Sequence, residues 1–338
     1  TPEGITARVI ARIEEELAIS ASRFSATGLA LEVHTFGESH GAAVGAVIDG
    51  LPPGIPVSES DIQRELDRRR PGQNRLTTAR TEADAVRILS GVFEGRTTGA
   101  PLALLVENAD QRSKDYEPFR DVFRPGHADF TFWAKYGIRD HRGGGRSSGR
   151  ETLARVAAGA AAKQALAERG MRITAYALEI GGVRAERIDH TVIERNAVRS
   201  PDMETAAKME AVILAARESG DSVGGIIQLE INGAPKGLGD PVFAKLDARL
   251  GAAFFSVGAV KGVEFGAGFA AARLRGSANN DSMRDGRFVT NASGGILGGI
   301  SNGQPIIVRI AVKPGPSLAR VQDACDIRGE NRALVIGG

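Results

Sequence analysis

Arg142-Gly143-Gly144-Gly145-Arg146-Ser147-Ser148-Gly149-Arg150-Glu151 runs directly into an alanine-rich segment that reaches Gly170. Three consecutive glycines let the backbone come close to a ligand. Ser148 and Glu151 stand at capping-box spacing and Gly170 supplies a stop, so the spacing predicts a helix over 148–169. The start of such a helix has unpaired amides and the positive end of the dipole, which suit an anion such as a phosphate. Arg142, Arg146 and Arg150 add charge around that junction. A plainer reading stands beside this one: capping alone accounts for Ser148 and Glu151, and the glycines can be only a turn.

Working outward, the periodicity predicts an amphipathic helix over 5–20 and a loop from Ser22 to Gly28. A short apolar strand follows at 43–49, and then a helix capped by Ser58 that runs to about Arg70, where Pro71-Gly72 stops it. Strands are expected at 86–93 and 101–107, with Gly95 and Gly99 in the turn between them. Residues 108–127 read as a long polar loop, 128–136 as a helix, 173–181 as a strand, 203–219 as a helix and 224–231 as a strand. A helix at 241–255, glycine-rich strands and turns from 258 to 303, and a final strand at 305–313 complete the pass. Ile88-Leu89-Ser90-Gly91 before the Pro101 strand weakly echoes Ile296-Leu297-Gly298-Gly299 before the Pro305 strand, at a level that chance matching explains. No linker rich in proline or serine divides the chain, which points to one compact mixed α/β unit.

Composition bounds the function. The chain has 338 residues, 42% apolar and 25% charged, with a formal net charge of +2, ordinary for a folded soluble protein. One cysteine, Cys325, excludes an internal disulfide, and His34, His40, His127, His141 and His190 show no zinc spacing. No apolar run approaches the roughly 18 residues that would span a bilayer. The N-terminal segment, with Glu14, Glu15 and Glu16, resembles neither a signal nor a transit peptide. A cytoplasmic protein with no metal and no membrane partner is the expectation. Arg64, Arg68, Arg69, Arg70, Arg75 and Arg80 cluster in one window, but without interleaved aromatics they make a poor nucleic-acid surface.

Five segments pair a kinked backbone with groups that titrate or donate hydrogen bonds. They are Phe36-Gly37-Glu38-Ser39-His40-Gly41, Arg68-Arg69-Arg70-Pro71-Gly72, Arg124-Pro125-Gly126-His127-Ala128-Asp129, the opening stretch, and Lys313-Pro314-Gly315-Pro316-Ser317. The planar fork of arginine suits phosphate and carboxylate oxygens, so this density of arginine points to a polyanionic small molecule. His40 and His127 are candidate acids because histidine titrates near neutral pH, though a histidine between glycines can equally serve buried backbone groups.

Taken together these strings resemble the chorismate synthase family. The likeness runs from about Thr35 to about Ser317 and takes in Glu107-Asn108, Asp110-Gln111-Arg112-Ser113, Lys135-Tyr136-Gly137 and Gly294-Gly295-Ile296-Leu297-Gly298-Gly299-Ile300-Ser301. The resemblance implies an α/β fold, a β-α-β sandwich of antiparallel sheets enclosing helices, and a homotetramer. It implies a lyase that converts 5-enolpyruvylshikimate 3-phosphate to chorismate and phosphate by 1,4-anti elimination. That reaction uses reduced FMN and belongs to the shikimate pathway of aromatic amino-acid biosynthesis.

Residue by residue, the likeness makes His40 the acid near the departing phosphate and His127 the acid near the flavin ring. It makes Arg69, Arg70, Arg75 and Arg150, with Ser39, the substrate ligands. It assigns FMN to Arg146, Ser147, Ser148, Ala259, Gly298 and the run Lys313, Pro314, Gly315, Pro316 and Ser317. Arg69 and Arg75 also match positions assigned to NADPH, a candidate reductant.

Residues 1–34 depart from the family's usual start. The chain stops at Gly337-Gly338, about where the family has an Arg-His-Asp motif and a C-terminal helix, and impaired turnover is expected on that ground. Two other readings are kept: an NADPH-dependent flavin reductase, and a module that binds FMN or substrate without turnover. No dinucleotide glycine fingerprint follows a strand, which counts against the reductase.

Overall fold

A computed structural model describes residues 31–74, 76, 82–108 and 113–336. The expected helix at 5–20 and the loop after it lie outside these residues. The chain forms two units rather than the single one expected. One comprises the residues up to Arg169 together with Cys325–Asn331, and the other Gly170–Ala324 together with the residues from Arg332 on.

The first unit is built on β1 (Glu32–Phe36), β2 (Ala43–Asp49), β3 (Val86–Ser90) and β4 (Leu102–Glu107), all antiparallel in the order β1-β2-β4-β3. The alternation of Val44, Ala46 and Ile48 with Leu102, Leu104 and Val106 turns one face inward. Two helices cover that face. In α1 (Glu59–Arg69), capped by Ser58, Ile62 and Leu66 are buried one turn apart. α1 also protects the edge strand β3: Gln63 Oε1 accepts from Val86 N at 3.1 Å and Glu59 Oε1 from Ile88 N at 2.8 Å. After α2 (Asp129–Tyr136) comes α3 (Thr152–Ala167), whose buried alanines let it lie close to α1 and β2.

The second unit repeats the plan. β5 (Arg172–Ile180), β6 (Val183–Arg184), β7 (Gly225–Asn232), β8 (Val260–Phe265) and β9 (Ile306–Val312) form an antiparallel sheet in the order β8-β9-β7-β5-β6. α4 (Met203–Glu218), capped by Asp202, packs on β5 and β6, and α5 (Leu246–Phe255) packs on β8. α5 starts later than the expected helix over 241–255, because Asp240 and Ala244 pair in a β-bridge just before it. The strand at 306–312 is not the last: Gln322–Asp326 follows and pairs Cys325 with Phe123 in the first unit, and Asn331–Leu334 follows that.

Removing β6 leaves β5-β7-β9-β8, the connectivity of β1-β2-β4-β3, so the internal echo is a duplication. Its register differs from the one the sequence suggests. Gly91 and Gly295 are the equivalent positions, with φ of 86° and 82°. A Cβ on Gly91 would stand 2.8 Å from Pro101 O, and one on Gly295 2.6 Å from Pro305 O. A two-residue hairpin follows each glycine, Val92–Phe93 with Arg96–Thr97 and Ile296–Leu297 with Ile300–Ser301.

One buried hydroxyl locks each copy. Thr97 Oγ1 donates to Pro52 O at 2.5 Å and accepts from Ile55 N at 2.9 Å; Ser301 Oγ donates to Pro235 O at 2.6 Å and accepts from Leu238 N at 2.8 Å. The flanking backbone bonds match as well, Gly54 N to Thr97 O and Gly237 N to Ser301 O. Matching Ile-Leu letters misses this because the fold keeps a hydroxyl and a left-handed glycine.

Thr97→Val and Ser301→Ala should each cost about 1–3 kcal/mol, since each strands a buried amide and a carbonyl. Thr97→Ser should cost clearly less. Chemical denaturation midpoints check this, and equal stability for Thr97→Val and wild type would refute the lock.

Candidate active site

In the first unit, residues 37–42 link β1 to β2 without regular structure, and residues 137–151 link α2 to α3 through turns. The two loops meet. Ser39 Oγ lies 3.4 Å from Arg142 O and 3.2 Å from His40 Nδ1. With the hydroxyl donating to the carbonyl, its lone pair can receive the Nδ1 proton. That arrangement requires only that Nδ1 carry the proton. His40 is buried, and the edge of its ring meets Tyr116 at 5.0 Å between centroids. Gly143 has φ 65°, and a Cβ there would collide with the His40 ring. The first glycine of the triplet is therefore what lets the histidine in.

The helix start differs from the sequence expectation. Two 3-10 turns, Gly145–Ser147 and Gly149–Glu151, precede α3, which begins at Thr152. No capping box forms: Ser148 Oγ accepts from Arg150 N, and Glu151 turns away to accept from Thr35 Oγ1 at 2.7 Å and from Arg155 Nε at 2.9 Å. Burial works to raise the Glu151 pKa, but these bonds and the charges of Arg155 and Arg146 hold it below the usual carboxylate value. Glu151 thus ties β1 to Arg155 of α3 and does not close back on Ser148.

The arginines converge on these loops, and each meets oxygens of its own chain. Arg146 donates to Gly37 O at 2.9 Å and to Thr35 O at 3.1 Å. Arg69 reaches Gly149 O at 2.9 Å and Asp84 at 3.3 Å; Arg150 reaches Asp84 at 2.6 Å and Glu82 at 2.7 Å. Burial lowers the Arg69 pKa, with Asp84 opposing. The cationic cradle expected from sequence is therefore a cradle of paired arginines, because a bare buried guanidinium costs too much. Arg70 stands 3.7 Å from Asp67 at the end of α1, and Arg75 lies outside the described residues.

His127 sits in a turn with its N–H on Arg124 O at 3.3 Å. Beneath it lies an ion pair that the sequence reading quoted without a role. Asp129 accepts from Arg124 N, Nε and Nη2 at 3.0, 2.8 and 2.9 Å, and Arg139 stands 3.5 Å away. Arg139 also donates to the carbonyls of Phe119, Arg120 and Val122. Arg-x-x-x-x-Asp spacing inside a glycine turn was the available signal; Asp84, at φ 47°, had none.

A cavity of about 790 Å³ opens beside these loops, walled by Arg146, Ser147, Arg142 and Arg139 on one side and by Phe132 and Tyr136 on another. Of the residues expected at the site, Arg146 and Ser147 line it. Ser148, the next residue, does not line it, and the other cofactor positions lie in the second unit. There Lys313 N donates to Ala259 O at 2.9 Å, Ser222 Oγ donates to Gly315 O at 2.6 Å, and Gly298 occupies a hairpin turn at φ 61°. Ala259 has φ 70° without being glycine.

The profile of the chorismate synthase family matches residues 31–338. The chain belongs to that family. It is 53% identical over 311 residues to the chorismate synthase of Desulfatibacillum aliphaticivorans, covering 92% of this chain and 87% of that protein. It is 54% identical over 320 residues to that of Methanosarcina mazei, covering 92% and 88%. A crystal structure of a chorismate synthase superposes with a TM-score of 0.72 at 34% identity, over 85% of each chain. The expected α/β fold of antiparallel sheets and helices is thus the family's. Among the described residues no helix is long and apolar enough to cross a membrane.

Two predictions follow from the loops. Burial tends to raise the Asp129 pKa, but the bonds and charge of Arg124, then the charge of Arg139, hold it below its ordinary value. A depressed carboxylate contributes stability that is complete above its unfolded pKa of about 4 and is lost as pH falls through the folded value. Asp129→Asn should cost about 2–3 kcal/mol at pH 7 and show a shallower loss of stability between about pH 5 and pH 2. Denaturation at each pH reads this, and parallel curves for the two proteins would count against it. Separately, Gly143→Ala should abolish the packing of His40, seen as a shift of its ring resonances.

Proposed function

We propose that this protein makes chorismate from 5-enolpyruvylshikimate 3-phosphate, releasing inorganic phosphate, as a lyase of the shikimate pathway that works with reduced FMN. Beyond family membership, one observation carries the reading: Ser39-His40, Arg69, Arg146 and Arg150 are all tied through direct contacts to loops 37–42 and 142–150. An acid among fixed guanidinium groups is the arrangement that loss of a phosphate needs.

In the reaction a carbon–oxygen bond to phosphate breaks, a proton leaves a second carbon, and a new double bond forms with no net redox change. Arg69, Arg70, Arg75 and Arg150 bind the substrate's phosphate and carboxylate, with Ser39 beside them. His40, whose Nδ1 faces Ser39, gives the departing phosphate oxygen its proton. His127 serves as the acid near the flavin. Reduced FMN, when bound, supplies electron density transiently as phosphate departs.

The residues present fit that cofactor. The cavity of about 790 Å³ is within the range of ligand sites, with cations on one wall and aromatic rings on another. Arg146, Ser147 and Ser148 would hold FMN in the first unit, and the family likeness assigns it Ala259, Gly298 and Lys313–Ser317 as well. Arg69 and Arg75 would also take NADPH as reductant. A cytoplasmic homotetramer is the proposed state.

Anaerobic incubation with reduced FMN and 5-enolpyruvylshikimate 3-phosphate should yield chorismate and phosphate in equal amounts. His40→Ala should lower kcat by about 10²–10⁴-fold, the usual range for a lost general acid. Substrate consumption without chorismate, or undiminished turnover by His40→Ala, would overturn the assignment.

A further inference from the structure

Glu107-Asn108 belongs to the family likeness, yet the proposed reaction gives neither residue a task. Asn108 lies one residue beyond β4, and its N–H bonds to Ala42 O at 3.0 Å, continuing the β2–β4 ladder. The backbone is therefore fixed before the side chain does anything. Nδ2 donates to Glu38 O at 3.0 Å and to Gly41 O at 2.8 Å, the carbonyls on either side of Ser39-His40. Oδ1 accepts from Arg150 Nε at 2.9 Å.

We propose that Asn108 is a positioning residue that sets His40 against Arg150, one planar amide fixing the acid and a phosphate ligand to each other. The proposal rests on the roles given to those two residues above.

The chemistry of the amide supports it. Loop 37–42 has no ladder of its own, and its backbone turns on a bond from Gly41 N to Glu38 O. The carbonyl of Glu38 therefore takes both the turn's bond and that of Asn108. Arg150 is held at its tip by Asp84 and Glu82. Its Nε contact to Asn108 is what sets the plane of the guanidinium about that anchor. A side chain serving both loops needs two donors and an acceptor on one short rigid group. Aspartate lacks the donors, leucine lacks both, and glutamine carries the amide one methylene further out. Displacing an acid by about 1 Å can cost about 10²-fold in rate, so the amide acts on kcat through His40 and on binding through Arg150.

The test uses Asn108→Asp and Asn108→Ala in the whole chain, read by steady-state kinetics, inorganic phosphate binding and the NMR resonances of His40. Asn108→Asp keeps the oxygen that faces Arg150 and loses both donors, so kcat should fall about 10²-fold with a shifted His40 resonance. Asn108→Ala should show the same and also lose roughly tenfold in phosphate affinity, one lost charge-assisted hydrogen bond. On a His40→Ala background, the effect of Asn108→Ala on kcat should shrink to less than about threefold, because coupled residues are non-additive.

Unshifted His40 resonances, or a kcat loss undiminished on the His40→Ala background, would overturn the proposal. So would loss of folding in both variants, which would make Asn108 a support of the whole unit. Absence of chorismate from the wild-type chain would instead remove the functional reading, while the His40 resonance and phosphate binding still report on the bridge.

Discussion

A buried guanidinium has five N–H donors in a fixed plane and tolerates burial only when oxygens meet it. This requirement organises the first unit. Arg146 gathers Thr35 and Gly37, Arg139 gathers the carbonyls of Phe119, Arg120 and Val122, and Arg124 closes on Asp129. Gly37, Phe119 and Arg120 lie outside the strands, whereas Thr35 and Val122 also pair in sheets, Thr35 with Ala46 and Val122 with Asp326. Arginine supplements the sheets here, tying carbonyls of Gly37, Phe119 and Arg120 to side chains of the neighbouring loop. The same groups that order the loops are the ones a phosphorylated ligand would meet, and binding then requires little reorganisation of the protein.

Pairing also limits the electrostatics. Arg69 and Arg150 share Asp84, and Arg150 has Glu82 as well, so the site does not attract anions by bare charge. What it offers an anion is direction: donors already aimed. For a reaction whose charge grows on a leaving phosphate, fixed dipoles serve the transition state better than mobile cations. A net charge of only +2 is consistent with a site working this way.

The large elements were legible because their signals are local. Ser58 before the helix to Arg70, the helix at 203–219 and the β-branched run of β9 each declare themselves within a few residues. The α3 start was misread for a physical reason: Glu151 bonds Thr35, far back in the chain, and Arg155 one turn on, in place of closing on Ser148. The site was legible as strings but not as contacts. Arg124, Asp129 and Asn108 stand in recognisable strings that give them no role, and Asp84 and Glu82 carry no signal that sequence can show. A carboxylate that orders two arginines differs from a surface carboxylate only in what the fold brings to it.

The duplication separates scaffold from chemistry. Both units keep the four-strand connectivity, the positive-φ glycine and the buried hydroxyl at Thr97 or Ser301, so these features answer to folding. They differ in what joins the first two equivalent strands. Residues 37–42 make a short turn carrying Ser39-His40, whereas residues 181–224 insert β6 and α4. A turn that short holds its histidine close to the strand ends, where loop 142–150 arrives. The longer connection in the second copy carries His190, which packs on Tyr176 of β5 instead. The proposed acid therefore arises from the length of one connection, and the repeated scaffold supplies the rigidity that makes that length matter.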